Sequence, residues 1–148
     1  MKRLDEFKDK AAVTEYLKKE KGFTTAKEVD AYLHEHLPKE SYYQRKIMEA
    51  IRAAYPKAFV WKAAAGFYSQ GGIPDICAVI DGRYFGFEVK RPFIGEPSKI
   101  QEQTIKKIRE AGGVAGIVCF PEDARKLIEE AALCGKYFSS TATNQNAH

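Results

Sequence analysis

Two acidic residues and a lysine stand at a spacing that suits phosphate-ester chemistry: Asp75, Glu88 and Lys90. Between them lies Asp81-Gly82, flanked by the runs 75–80 and 83–90. Asp-Gly between two such runs signals a β-hairpin with a two-residue turn. In that register Ile80 faces Arg83, and counting outward from the turn brings Asp75 opposite Glu88. Directly opposed residues hold their Cβ atoms only ~5 Å apart. Lys90 follows two residues after Glu88 and shares its face. The other face carries Ile76, Ala78, Ile80, Phe85, Phe87 and Val89, all apolar. Two opposed carboxylates repel and weaken a sheet, and a divalent cation offsets this better than Lys90 alone. Mg2+ is usually held by one or two carboxylates, several waters and phosphate oxygens. Such an ion polarises a phosphoryl oxygen and lowers the pKa of water. Lys90 can orient or deprotonate that water, or stabilise charge developing on the phosphate. The plain alternative is a surface salt bridge on a solvated hairpin face.

The elements around the hairpin read as follows. Residues 3–20 form a charged helix ended by Gly22. Thr25-Ala26-Lys27-Glu28 is a capping box for a second helix with Val29, Tyr32, Leu33, His36 and Leu37 on one stripe, stopped by Pro38. Ser41-Tyr42-Tyr43-Gln44 opens a third helix, with Tyr43, Ile47, Ile51 and Ala54 on one face and Pro56 at its end. Residues 58–64 form a strand containing Trp61, and residues 66–74 a glycine-bearing loop. After the hairpin, residues 91–97 form a loop. Ser98-Lys99-Ile100-Gln101 then caps a helix with Ile100, Thr104, Ile108 and Ala111 along one face. Gly112-Gly113 ends it. Residues 114–120 form a buried strand. Pro121-Glu122-Asp123 starts a last helix with Ala124, Leu127, Ile128 and Ala131 inward. The polar stretch after Gly135 is expected to be disordered at its end. From residue 42 the order is α-β-β-β-α-β-α, an α/β class with a mixed sheet flanked by helices. The first two helices form an N-terminal extension. The expected division is 1–40 extension, 41–135 core and 136–148 tail.

Composition narrows the classes. The chain has 148 residues, 45% hydrophobic and 30% charged, enough for one domain with one sizeable core. No apolar run approaches the ~20 residues of a membrane span, and the charged start Met1-Lys2-Arg3-Leu4-Asp5 is unlike a signal peptide. Cys77, Cys119 and Cys134 form no CxxC pair, which fits a reducing, cytoplasmic compartment (bacterial, or the host's if the source is viral). No Cys or His cluster has zinc-ligand spacing, and His34 and His36 read as surface residues. The net charge of +4 permits a polyanionic partner without demanding one.

Three segments together resemble the VRR-NUC family of the PD-(D/E)XK nuclease superfamily. They are Gly71-Gly72-Ile73-Pro74-Asp75, Phe87-Glu88-Val89-Lys90-Arg91-Pro92 and Ser98-Lys99-Ile100-Gln101. The G-x-PD, E-V-K-x-P and S-x-x-Q elements stand in the family's order and approximate spacing, over residues 42–130. The resemblance implies a restriction-endonuclease-like αβββαβ core. It implies Asp75, Glu88 and the Val89 backbone carbonyl as ligands of Mg2+ (or Mn2+), and Lys90 as the catalytic lysine. Gln101 matches the family's active-site helix glutamine. It is also the third residue of a capping box, which is its plain reading. The family tends to carry a glutamate on the first core helix. Relative to Ile47 and Ile51 that slot holds Gln44 here, which is a candidate ligand or simply a helix cap. Glu49 points to another face. A neutral amide there favours a single metal.

Phosphate-neutralising cations give affinity without sequence readout. Lys62, Arg91 and Lys99 frame the site and are the candidates for that role. Lys106, Lys107 and Arg109 suit the last turn of any helix. Trp61, Phe67 and Tyr68 are able to stack on bases; Trp61 is assigned to the core and Tyr68 stays a binding candidate. The resemblance further implies DNA as substrate, branched as in a Holliday junction and linked to repair, and a homodimer with two sites. The rival readings are a non-catalytic nucleic-acid-binding module with the same fold, and a protein-interaction domain.

Overall fold

The computed structural model describes residues 1–64 and 71–145. A four-stranded sheet runs in the order β1-β2-β3-β4, formed by Phe59–Lys62, Ile76–Ile80, Arg83–Val89 and Val114–Val118. The first three strands are antiparallel neighbours, and β4 lies parallel to β3. Helix α4 (Lys99–Glu110) makes the crossover that a parallel pair requires. Helices α3 (Glu40–Ala54) and α5 (Pro121–Gln145) pack on one face of the sheet and α4 on the other. This is the αβββαβ core, preceded by α1 (Lys10–Lys21) and α2 (Ala26–His36).

The hairpin has the expected register. Asp81 and Gly82 adopt φ of +50° and +78°, the left-handed pair a type I′ turn needs. Ile80 therefore pairs with Arg83 and Ile76 with Phe87. One step further brings Asp75 to Glu88. The six apolar hairpin residues are all buried against Tyr43, Ile47 and Ile51 of α3 and Ala124 and Ile128 of α5. Each large side chain of that kind stabilises by ~1.5–3 kcal/mol when buried. A one-residue slip would turn the whole set outward, so the register is firmly held.

A second apolar cluster joins Leu4, Val13, Leu17, Val29, Leu33 and Leu37. Phe93 and Ile94, from the loop after β3, pack against it. The Thr25–Glu28 capping box forms, and Gly22 ends α1 in the left-handed conformation.

Four expectations change. The first helix is interrupted: a short 3-10 turn covers Leu4–Glu6, and α1 starts only at Lys10, where the Asp9 side chain accepts the Ala12 N–H. Helix α3 begins at Glu40, before Ser41, with no side-chain cap. On α4 the inward residue is Ile105, while Ile100 is 58% exposed. Helix α5 runs through Gly135 to Gln145. One interior glycine costs only ~1 kcal/mol relative to alanine, and no proline follows to stop the helix. Among the described residues no helix is long and apolar enough to cross a membrane.

Candidate active site

The segment leading into β2 is pinned from both sides. Gly72 has φ +86°, and a Cβ there would lie 2.5 Å from Ile100 Cγ2 and 2.7 Å from Thr104 Oγ1 of α4. Pro74 is buried, and its ring covers Gly86 of β3 so closely that a Cβ at 86 would stand 2.8 Å from Pro74 Cγ. Asp75 follows. Its carbonyl accepts the Ala63 N–H at 2.8 Å, a rung beyond the β1–β2 ladder. Its Oδ2 accepts the Val89 N–H at 2.8 Å. Both main chain and carboxylate of Asp75 are thus fixed.

Glu88 is only 1% exposed. Its Oε1 accepts from Gln101 Nε2 at 2.6 Å and lies 3.7 Å from Lys90 Nζ. Its Oε2 is buried with no hydrogen-bond partner. Burial pushes the Glu88 carboxyl well above the usual carboxylate range. The charge of Asp75 acts in the same direction, and so does a hydrogen bond to Asp75 that only the protonated carboxyl can make; Glu40 adds more weakly, Lys90 opposes, and the ionised Oε2 is left without a donor.

Gln101 combines its two expected contacts in one side chain. Its Oε1 accepts the Ser98 N–H at 2.8 Å, its own N–H donates to Ser98 Oγ at 3.2 Å, and its Nε2 reaches Glu88. The cap holds the amide in the orientation that serves Glu88. Lys90 continues the β3–β4 ladder, donating its N–H to the Val118 carbonyl at 2.9 Å. Its side chain is 14% exposed.

Sequence reasoning missed Glu40. Its carboxyl is raised by burial, and it feels Lys90, Asp75 and Arg91. Glu40 stands one turn before the buried Gln44 on α3, near enough to Lys90, Asp75 and Arg91 for their charges to act on it. The Ser41 capping pattern hid it by placing the helix cap two residues late, at Ser41 instead of Lys39. The four-residue step from Glu40 to Gln44, which keeps both on one helix face, was the available signal. Among the described residues no group of three or more His, Cys, Asp or Glu side chains is placed to hold a metal ion. Asp75 and Glu88 are thus the carboxylate pair, with Glu40 acting as a charge from further off.

The expected cations divide. Lys62 and Lys99 are exposed, at the Asp75 end of β1 and in the first turn of α4. Arg91 is otherwise engaged. Its Nε donates to the Pro38 carbonyl at 3.0 Å, and its Nη2 to those of His34 and Leu37 at 2.8 Å each. Arg109 Nε donates to the Ala115 carbonyl at 2.9 Å, and Lys106 lies 3.9 Å from Glu110. Trp61 is half-buried rather than core, 5.3 Å ring to ring from Phe59, which is 68% exposed. Phe67 and Tyr68 lie outside the described residues.

The residues present fit a hard divalent cation. The donors are carboxylate oxygens, which Mg2+ and Mn2+ accept. An orphaned buried oxygen costs ~1–3 kcal/mol, and Glu88 Oε2 is such an atom. A cation between Asp75 and Glu88 would satisfy it and remove the like-charge repulsion.

No family model and no curated protein matches the chain. Solved structures do. A VRR_NUC domain matches with TM-score 0.51 and 24% identity, over 61% of this chain and 94% of that one. Hjc, a Holliday junction resolvase from Archaeoglobus fulgidus, matches with TM-score 0.43 and 20% identity, over 54% and 67% of the two chains. The chain has the restriction-endonuclease-like fold of the VRR_NUC domain.

Proposed function

We propose that the chain is a Mg2+- or Mn2+-dependent nuclease that hydrolyses DNA phosphodiester bonds at Asp75, Glu88 and Lys90. One observation carries the reading. Glu88 is buried with Oε1 anchored by Gln101, Oε2 unpartnered and Asp75 opposed. A sheet gains nothing from such a pair unless something binds it. Asp75, Glu88 and the Val89 carbonyl would hold the ion, which when bound supplies Lewis-acid stabilisation of the phosphate and a more acidic water. The chain's own residues do the rest. Gln101 keeps Glu88 aimed. Lys90, 3.7 Å from Glu88 Oε1, holds a positive charge beside the scissile phosphate and is placed to orient the attacking water. Glu40 adds negative potential that favours the ion's retention. Lys62 and Lys99 engage flanking phosphates.

The finer part of the reading is a branched substrate such as a Holliday junction, cut by a two-site homodimer in DNA repair. It rests on the motif resemblance and on the symmetry of a four-way junction. The test is incubation with Mg2+ or Mn2+ and a panel of linear, flapped and four-way DNA, with Lys90→Ala in parallel. Wild type should cleave, the branched DNA fastest, and the variant should lose at least ~100-fold. Equal cleavage by both proteins refutes the assignment. DNA binding without cleavage under any metal supports the rival reading, a non-catalytic binding module.

A further inference from the structure

The N-terminal helices have no evident part in the site, yet they touch its frame. Residues 1–39, ahead of α3, hold nine basic and eight acidic side chains, so the extension carries a charge of only +1. The other +3 of the net +4 belongs to the remaining chain. A nearly neutral pair of helices gives little counterion-release affinity for a polyanion. Its contacts point to the nuclease core instead.

The junction is Arg91, the residue after Lys90. Helix α2 ends at His36, where the Leu37 N–H still pairs with the Leu33 carbonyl and the carbonyls after it have no intrahelical donor, the negative end of the helix dipole. Arg91 places its guanidinium there. Nε and Nη2 donate to the carbonyls of Pro38, His34 and Leu37, with a longer contact of 3.4 Å to Leu33. The following loop is fastened to the same helices: Phe93 and Ile94 pack on the second apolar cluster. Phe93 adopts φ +69°, a conformation that a non-glycine residue keeps only where its surroundings hold it. The loop then returns on Lys90. Gly95 donates its N–H to the Arg91 carbonyl at 3.0 Å, and a Cβ at 95 would sit 2.8 Å from Lys90 Cβ.

We infer that Arg91 is a positioning residue: by fastening the peptide after Lys90 to the C-terminal carbonyls of α2, it makes the N-terminal helices the brace that holds Lys90 beside Glu88. The inference rests on the nuclease reading for what Lys90 does, and on the geometry alone for how Lys90 is held. Arg91 touches no reacting atom. A displacement of ~1 Å at a reacting group can cost about 100-fold in rate, so a loosened brace is felt in the chemistry.

Two variants and two readouts test this on the full chain. The variants are Arg91→Ala and Arg91→Lys; lysine keeps the charge but replaces the planar fork with a point donor. The first readout is reductive methylation of lysines by formaldehyde and borohydride, followed by mass spectrometry. Exposed Lys62 and Lys99 serve as internal standards. Lys90 should be protected in wild type, and its relative reactivity should rise ~5-fold or more in Arg91→Ala and ~2-fold in Arg91→Lys. The second readout is single-turnover cleavage beside DNA affinity across a salt series. The cleavage rate should fall about 100-fold in Arg91→Ala and about 10-fold in Arg91→Lys, with affinity within ~2-fold and the salt slope unchanged. A salt slope reduced by about one makes Arg91 a phosphate contact and overturns the inference. So does unchanged Lys90 reactivity in the folded variants. Should Arg91→Ala fail to fold, Arg91→Lys decides: wild-type protection and rate there overturn the brace. If wild type cleaves no DNA, the nuclease reading fails separately, and the methylation result still decides how Lys90 is held.

Discussion

Glu88→Gln should make the metal-free protein more stable. In wild type Glu88 Oε2 is buried without a partner. The substitution keeps the acceptor that Gln101 needs and places an amide NH2 where the orphan oxygen stood, able to donate to Asp75. Relief of one buried, unsatisfied charged oxygen is worth roughly 1–3 kcal/mol. In a chain of 148 residues, each kcal/mol shifts Tm by ~2–4 °C. The gain depends on pH. Burial and Asp75 raise the Glu88 pKa in the folded state, so the native protein binds more protons than the unfolded chain between the ordinary carboxylate pKa and the raised one. Wild-type stability therefore falls as pH rises through that window, and the variant lacks this component. Thermal melts in EDTA should show Glu88→Gln several degrees above wild type in mildly alkaline buffer, and the two converging near the ordinary carboxylate pKa. Saturating Mn2+ should reverse the order: wild type gains ~2.7 kcal/mol at a hundred times Kd, and the variant gains little. A variant no more stable than wild type in EDTA, together with a wild type insensitive to Mn2+, would refute the reasoning.

The other expectations follow from neighbouring contacts. Gly72→Ala should destabilise by more than ~1 kcal/mol, because φ is +86° and the new methyl meets Ile100 and Thr104, whereas Gly71→Ala, with nothing within 4 Å, should melt like wild type. Gln101→Ala removes a cap worth ~1 kcal/mol and strips Glu88 of its 2.6 Å donor; calorimetry should show weaker Mn2+ binding, and unaltered affinity would count against the aiming role. Glu40→Gln should weaken Mn2+ severalfold, on the order of the ~1 kcal/mol by which a carboxylate acts on a divalent ion through solvent from beyond direct contact; complete loss of binding would instead make Glu40 a direct ligand.

The hairpin was legible because an Asp-Gly turn counts in whole residues: once Ile80 pairs with Arg83, every later pair follows, and the alternating apolar face admits no other register. Helices carry no such ruler. A cap assigned at Ser41, two residues after the Lys39 that holds it, left Glu40 outside its own helix. On α4 the Ser98 cap stands where expected, but the stripe of Ile100, Thr104 and Ile108 looked inward. The protein leaves Ile100 58% exposed and turns Gln101 and Ile105 toward the sheet. Packing against Gly72 and the Glu88 contact select that rotation over the more apolar one, a tertiary preference that periodicity cannot register. The employment of Arg91 was hidden for a related reason: its partners are backbone carbonyls 53 to 58 residues away, which no side-chain pattern announces.

The plainest reading of Asp75, Glu88 and Lys90 was a salt bridge on a wet hairpin face, and burial decides against it. A surface pair keeps its carboxylate in water, whereas Glu88 is 1% exposed. Nor is the lysine placed to neutralise it fully: Nζ stands 3.7 Å from Oε1, beyond the ~2.7–2.9 Å of a direct charge-assisted bond. The short bond comes from the neutral amide of Gln101, which orients the carboxylate without cancelling its charge. Apolar residues of similar size would stabilise this part of the sheet better than an incompletely paired charge. A carboxylate aimed by an amide, opposed by a second carboxylate and approached by a lysine held slightly back is arranged to leave charge unspent. Unspent charge of that kind is what the proposed cation would meet.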